Sequence, residues 1–360
     1  MTMLKLQASD FAIIEPDIST WNQFTQQHPQ GHLLQSGPWG QLKSNFGWNI
    51  QRIAITSKQG IVAGVQLLFR QRYGISVAYA PRGPLFSGVK TYDDALIQAM
   101  HRIAKRRRAV FLRLEPNLLE TQAQGQQFHS QLLLKGFRTA NPIQPQSSIH
   151  LDLTPDLDKM LAAMSKGHRA DIRRAERNGV SVWNGSTTED FDTFYSIFEQ
   201  TAQRADFAIH SKEYYQVAQK AFQEAQHSQL LLAGTDGQAT AAFLIFGWAN
   251  DGLYLYSCST DIGLKSGANH LLQWHALQWS KQQGYTNYDF WGIPDAFGQA
   301  ALAPAEEREH LEEQAKQDPL YGVFRFKKGF GGEVVRYLPA YDYVYIAPLY
   351  SIIQKRLGLA

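Results

Sequence analysis

Apolar and polar residues alternate along "WNIQRIAITSKQGIVAGVQLLFR" (48–70), many of the apolar ones β-branched, with a break at Lys58–Gly60. A period of two sends successive side chains to opposite faces of a strand, so this stretch predicts two strands around a glycine turn. A third strand is predicted at "ISVAYAP" (75–81). The spacing then changes to the helical one over "TYDDALIQAMHRIAKRRR" (91–108) and returns to strand at "AVFLRLEP" (109–116).

The same order recurs. "SQLLLAGTDGQATAAFLIFG" (228–247) predicts a hairpin around Asp236–Gly237, and "GLYLYSCST" (252–260) a strand. "SGANHLLQWHALQWSKQQG" (266–284) predicts an amphipathic helix ended by Gly284, and "TNYDFWGIP" (286–294) a strand that stops at Gly292. Matching order at nearly equal spacing implies an internal duplication. The fold class expected is α/β: two tandem acetyltransferase-like (GNAT-like) domains, with mixed sheets flanked by helices. The proline- and serine-rich "NPIQPQSSIHLDLTP" (141–155) sets the boundary. The first domain is expected over 1–150, completed by C-terminal strands within 339–360. The second is expected over 151–338, opened by a basic helix at 155–178. "APAEEREHLEEQAKQDP" (303–319) reads as a surface insertion with a short helix, and "YLPAYDYVYIAPLY" (337–350) as a strand pair broken by prolines.

Composition narrows the class. Of 360 residues, 44% are hydrophobic and 19% charged, and the net charge is +3, so bulk charge alone argues for no polyanion partner. Cys258 is the single cysteine, which excludes a disulfide framework and a cysteine zinc site and fits a reducing compartment. "MTMLKLQASDFAIIEP" lacks the basic flank and apolar run of a signal peptide, and no stretch approaches the roughly 20 apolar residues that span a bilayer. The expected location is cytoplasmic, without an integral membrane segment.

Charge is nonetheless concentrated locally. In "TPDLDKMLAAMSKGHRADIRRAERNGV" (154–180), Thr154 reads as N-cap, Pro155 as first helical residue and Gly179 as the stop. At about 100° per residue, Leu157, Met160, Leu161, Met164, Ile172 and Ala175 share one side, and Lys166, Arg169, Arg173 and Arg177 the other. The stripe is either a solvated face or a contact for polyphosphate, nucleotide or tRNA. "KRRR" (105–108) ends a helix, where the dipole favours cations.

Much familiar chemistry is missing. There is no G-x-S-x-G, no H-E-x-x-H, no P-loop and no G-x-G-x-x-G, and His270 and His275 are wrongly spaced for one helical face. Cys258 sits in an apolar strand and reads as a core thiol. An enzyme built this way is expected to use no metal, cofactor or covalent intermediate, only attack on an already activated substrate. "FRFKKGFGG" (324–332) is the one place where cations, aromatics and permissive backbone coincide. It reads either as strand-end lysines in solvent or as a held cation aimed at a reacting group.

Three segments together with "YDFWGIP" (288–294) carry a family resemblance: "LLQSGPWGQLKSNFGW" (33–48), "MSKGHRADIRRAERNGV" (164–180) and "YGVFRFKKGFGGEVVRY" (321–337). The chain resembles, over most of its length, the Fem-type aminoacyltransferases that build peptidoglycan interpeptide bridges. The resemblance implies two acetyltransferase-like domains and transfer of an amino acid from aminoacyl-tRNA to the side-chain amine of a cell-wall precursor's stem peptide. No sustained heptads occur, so the chain looks like the branch without a coiled-coil arm, whose acceptor is UDP-muramoyl-pentapeptide; a lipid-linked precursor is the other acceptor considered.

By the same resemblance Lys327 is the cation that stabilises the oxyanion, with Phe326 and Phe330 packed around it and Lys328 solvated on the other side of an extended backbone. This reading requires the ammonium to be withdrawn from bulk solvent. Lys43 corresponds to the family's diphosphate-binding lysine and Tyr256 to a precursor-contacting tyrosine. The family's arginine and tyrosine four apart fall in "TAQRADFAIHSKEYYQ" (201–216), where Tyr214 or Tyr215 has the spacing but the arginine is missing; Arg204 is the substitute considered. Glu115 stands where the family has an acidic strand end. It either orients or deprotonates the amine, or pairs with Arg113 or the "KRRR" run.

Two other classes stay open. "LKSGANHLL" (264–272) resembles a degenerate acetyltransferase pyrophosphate loop, which would fit an acyl-CoA-dependent N-acyltransferase. A non-catalytic RNA- or polysaccharide-binding protein would use the basic stripe alone.

Overall fold

The computed structural model describes residues 11–224 and 226–356, so most of the segment read for a signal peptide lies outside the described residues. The chain divides into two compact units, residues 1–144 with 337–360, and 145–336.

The first unit contains β1 (Ala12–Ile14), α1 (Ile18–Gln27), α2 (Gly37–Asn45), β2 (Asn49–Ser57), β3 (Gly60–Arg72), β4 (Ile75–Ala80), α3 (Lys90–Arg106), β5 (Ala109–Leu114), α4 (Ala123–Leu134) and β6 (Arg138–Ala140). The second begins with β7 (Ser147–Asp152), α5 (Leu157–Ala163), α6 (Lys166–Arg177), β8 (Ser181–Gly185), α7 (Thr188–Ala205) and α8 (Lys212–Gln223). It continues through β9 (Ser228–Thr235), β10 (Gln238–Trp248), β11 (Asp251–Ser259), α9 (Asp261–Ser266), α10 (Ala268–Gln282) and β12 (Asn287–Asp289). It closes with α11 (Asp295–Leu302), α12 (Ala305–Lys316), α13 (Tyr321–Gly329) and β13 (Glu333–Arg336). β14 (Ala340–Val344) and α14 (Ala347–Arg356) return to the first unit.

Each unit has one seven-stranded sheet, of order β1-β2-β3-β4-β5-β14-β6 in the first and β8-β9-β10-β11-β12-β7-β13 in the second. Both sheets are antiparallel except at one place, β4 beside β5 and β11 beside β12. There a helix, α3 or α10, supplies the crossover that a parallel pair requires. The two sheets trade a strand: β7, which follows β6, lies between β12 and β13, and β14, which follows β13, lies between β5 and β6. The alternating apolar residues of the hairpins form the cores, with Ile53, Ile55, Val65 and Leu67 in the first unit and Leu231, Ala241, Phe243 and Ile245 in the second. The duplicated α/β architecture read from the hydrophobic pattern is therefore present.

Several local expectations are corrected. Residues 145–150 belong to the second unit because β7 pairs there with β12 and β13. The C-terminal strand pair is one strand, β14, followed by α14, and the strand at 286–292 is only the three-residue β12.

The basic helix over 155–178 is two helices. Asp156, not Thr154, caps α5, and the chain turns extended at Met164 before Ser165 caps α6. Ser165 Oγ accepts from the His168 N–H at 3.2 Å, and the Ser165 N–H goes to the Gly329 carbonyl at 2.9 Å. A serine that offers its own hydrogen bond, with a tertiary acceptor for its N–H, ends one helix and starts the next.

"FRFKKG" (324–329) is not extended but forms the last turns of α13, with Phe330 at its C-cap. Phe324 stacks on Phe297 at 3.6 Å between centroids, and Phe326 and Phe330 meet one turn apart at 5.2 Å. These contacts reward period 3.6 over the period of two that the local string also allows.

Candidate active site

In the second unit, β12 ends in "DFWGIP", and this turn holds the candidate cation. Asp289 is fully buried. Its Oδ1 accepts from the Ser148 hydroxyl and, at 2.7 Å, from the Trp291 N–H. Its Oδ2 faces the His150 Nε2 at 3.7 Å, since Asp289 and His150 are direct partners across the β12–β7 ladder. The bond from Trp291 steers that residue to φ 61°, a left-handed conformation that a tryptophan adopts only under constraint. The turn thereby aims the carbonyls of Trp291 and Gly292 at Lys327, whose ammonium donates to them at 3.2 and 2.6 Å.

Lys327 is 4% exposed, and its nitrogen lies 5.4 Å from the centre of the Tyr254 ring. Burial lowers its pKa to about 7, against the opposing charge of Asp289. A neutral-pH switch between ammonium and amine is a rare property for a lysine and clusters at functional sites. Lys328, one residue on, is exposed and bonds the Gly332 carbonyl. His150 also lines an open cavity of about 790 Å³ with Asp152, Lys159, Asn287 and Glu333.

Phe326 and Phe330 do not surround the ammonium as expected. They pack on His168 and His270, at 4.7–6.0 Å between ring centroids. The glycines have a steric reason: a Cβ on Gly329 would stand 1.9 Å from the His168 ring, and one on Gly332 2.5 Å from the His150 carbonyl. His168 Nε2 donates to the Phe326 carbonyl at 2.8 Å. With the Ser165–Gly329 bond, this ties the start of α6 to the last turns of α13.

On α6, Lys166, Arg173 and Arg177 are exposed, while Arg169 is half-buried and donates to the Ala162 carbonyl at 2.5 Å. Arg169 thus bridges the break between the two helices. α6 also covers the start of α10: a Cβ on Gly267 would meet the Asp171 carbonyl at 2.8 Å and the Ala175 Cβ at 3.4 Å.

Tyr214, Tyr215 and Tyr256 form one aromatic cluster. Tyr215 meets Tyr256 at 4.9 Å and Tyr214 at 5.5 Å, and accepts the His210 N–H at 3.0 Å. Burial raises all three phenol pKa values, Tyr215 to about 12. Arg204 is engaged by the Ser259 carbonyl at 2.8 Å and the Asp261 carboxylate at 3.2 Å.

In the first unit, "LLQSGPWGQLK" positions Lys43. Ser36 caps α2, and the Gln66 side chain, which donates to the Ser36 carbonyl at 2.7 Å, lies so close that a Cβ on Gly40 would stand 2.4 Å from it. The motif's glycine thus admits a buried amide, and α2 is fixed to β3. Lys43, in the last turn, lies 4.8 Å from the Trp39 ring centre, and burial, with Arg70 nearby, lowers its pKa to about 8.

Glu115 is buried at the end of β5 and accepts from the N–H groups of Ile143 and Gln144 at 2.6 and 3.0 Å and from the Tyr79 hydroxyl at 3.0 Å. Burial raises its pKa. Arg113, one partner considered for Glu115, binds Asp342 through Nε at 2.8 Å and Nη2 at 2.6 Å.

Sequence reading missed Ser148, His150, Tyr254 and Asp289. The available signal was an acid inside an otherwise apolar strand end, "YDFWG". Among the described residues no group of His, Cys, Asp and Glu is placed to hold a metal ion, and no helix is long and apolar enough to cross a membrane.

Two α/β units of acetyltransferase type, one holding a buried lysine of lowered pKa in the last turn of α13, define a tandem GNAT-like protein. The chain belongs to the FemAB family, whose model matches residues 17–240 and 233–355. This bears out the resemblance carried by the four sequence segments. The lipid II:glycine glycyltransferase of Staphylococcus saprophyticus is 22% identical over 405 residues, covering 92% of each chain. Among solved structures, FemX superposes with a TM-score of 0.83 at 20% identity, covering 95% of this chain and 100% of its own. A tandem GNAT protein from the clavulanic acid biosynthesis pathway shares the fold at a TM-score of 0.52 and 12% identity, over 93% of this chain and 98% of its own.

Proposed function

We propose that this enzyme transfers an amino acid from aminoacyl-tRNA to the side-chain amine of a peptidoglycan precursor's stem peptide, in interpeptide-bridge synthesis at the cytoplasmic side. The observation that carries the reading is Lys327, a cation withdrawn from solvent and fixed by two carbonyls. The neutral amine attacks the ester carbonyl of the aminoacyl group, and the carbonyl π electrons move to oxygen. The Lys327 ammonium stabilises that oxyanion; one such donor is worth about 2.7–4 kcal/mol. Collapse breaks the bond to the terminal ribose oxygen, which takes up the proton lost by the attacking nitrogen.

An ester is activated enough that this scheme needs no general base. Glu115, whose oxygens are occupied by its own unit, has no proton-transfer role in it. Lys43 binds the precursor diphosphate, and the Tyr214–Tyr215–Tyr256 cluster with Arg204 borders the acceptor. Lys166, Arg173 and Arg177 meet the tRNA backbone. Curated relatives act on lipid II by name, so the lipid-linked precursor and its soluble UDP-linked counterpart are both acceptors to test.

The test combines purified protein, tRNA charged with glycine, alanine or serine, and each precursor, with mass spectrometry of the precursor. A gain of one aminoacyl residue is expected; no gain with any of the three overturns the proposal. The acyl-CoA reading is disfavoured by α6, which fills the space before the α10 N-terminus where a pyrophosphate would bind. Micromolar binding of acetyl-CoA in a calorimetric titration would restore it.

A further inference from the structure

We propose that Asp289 is a positioning residue for Lys327: its carboxylate builds the turn that supplies both acceptors of the ammonium and provides the negative charge that faces it, while Ser148 and His150 hold that carboxylate in place. The inference rests on the reading of Lys327 as the cation of the transfer step.

Three geometric facts carry it. The Trp291 N–H is bound by Asp289 at 2.7 Å, and the carbonyls of Trp291 and Gly292 are the acceptors of the ammonium. Trp291, the residue whose N–H this carboxylate holds, sits at φ 61°. The carboxylate is itself fixed from β7, by the Ser148 hydroxyl on one oxygen and the His150 ring facing the other. It is fully buried, so its charge acts on Lys327 with little screening by water.

The titratable groups around the ammonium are few. The Tyr254 ring of β11 lies 5.4 Å from it, the charge of Asp289 of β12 acts on it, and His150 of β7 stands 3.7 Å from Asp289 Oδ2. His168 of α6 packs on the Phe326 and Phe330 rings and donates to the Phe326 carbonyl. Asp289 is the group in this set whose negative charge opposes the loss of the lysine's proton. Removing that charge would lower the lysine's pKa further and shrink the ammonium fraction at neutral pH. His150 lines the cavity of about 790 Å³ as well, so the carboxylate's support is open to solvent on one side.

The test is Asp289→Asn, which keeps an oxygen for the Trp291 N–H and removes the charge. The midpoint of Lys327 is read directly by NMR of selectively labelled lysine side chains, assigned with Lys327→Met. The expected result is a fall of the midpoint by about one pH unit, with the alkaline limb of the kcat profile moving by the same amount and KM for both substrates unchanged. An unmoved midpoint in folded Asp289→Asn protein overturns the proposal, as does a moved midpoint with an unmoved limb. If Asp289→Asn does not fold, Ser148→Ala replaces it: it keeps the charge and removes one donor, and a several-fold lower kcat at constant KM is expected. Unchanged kcat there overturns the proposal. Failure of the underlying reading is distinguishable, because Lys327→Met would then remain active while the NMR linkage persisted.

Discussion

The two units place different chemistry at the same point of the same topology. In each sheet the strand that follows the crossover helix is flanked by the traded strand, and a buried charged residue sits at a cross-strand pair between them. In the first unit the pair is Arg113 of β5 and Asp342 of β14; in the second it is Asp289 of β12 and His150 of β7. The first is closed. Two guanidinium nitrogens grip both carboxylate oxygens, the Tyr350 hydroxyl adds a bond at 2.7 Å, and the Asn141 carbonyl takes another guanidinium N–H at 3.1 Å. The second is poised, with a carboxylate shared between a serine, a strained turn and a partly exposed histidine, and a lysine of lowered pKa beyond it. Of the two equivalent positions, one is a structural lock, and the other lies beside a lysine whose pKa burial lowers to about 7.

The largest expected effect concerns the traded strands. The second unit is one continuous segment, residues 145–336, whereas the first needs β14 from the far end of the chain. Residues 145–336 expressed alone are expected to unfold cooperatively in urea. Residues 1–144 alone are expected to stay unfolded until a peptide covering 337–360 is added, because without β14 the inner edges of β5 and β6 have no hydrogen-bond partners. Cooperative folding of 1–144 without the peptide would contradict the assignment of β14.

Next comes the lock. Asp342→Ala leaves a buried guanidinium uncompensated and is expected to cost about 3–5 kcal/mol in urea unfolding. Lys327→Met is the counterpart in the poised unit. It is expected to slow transfer by roughly 10²–10³-fold in single-turnover assays, with the fold retained by circular dichroism.

The same variant separates a stability effect with a definite sign. The Lys327 pKa falls from 10.5 to about 7 on folding, so between these values the unfolded chain binds more protons. Stability of the wild type relative to Lys327→Met should therefore rise with pH from about 7 to about 10.5, by on the order of 5 kcal/mol in all, and stay level below pH 7. A flat difference across that window would mean that the lysine is not buried in solution. The smallest effect is at Lys43, whose pKa of about 8 predicts a few-fold rise in KM for the diphosphate-bearing precursor between pH 7 and 9, absent in Lys43→Met.

Much of this could be read from the chain. Period two around Lys58–Gly60 and Asp236–Gly237 marks both hairpins, and the helical spacing after each third strand marks the crossovers, because one buried face per element imposes those periods whatever the partner. The string "LLQSGPWGQLK" already contained the cap and the small residues that fix α2, and family resemblance pointed to Lys327. What the order of residues left open is where long-range partners decide. The helix at 324–329 competes with an extended reading until Phe297 and His168 are in place, and the break at Ser165 depends on a carbonyl 164 positions further along the chain. Which sheet receives β7, and the register by which Asp289 meets His150 and Arg113 meets Asp342, is set only when the sheets assemble. A strand's pattern specifies that it will have neighbours and which face is buried, and the identity of those neighbours comes from packing over the whole chain.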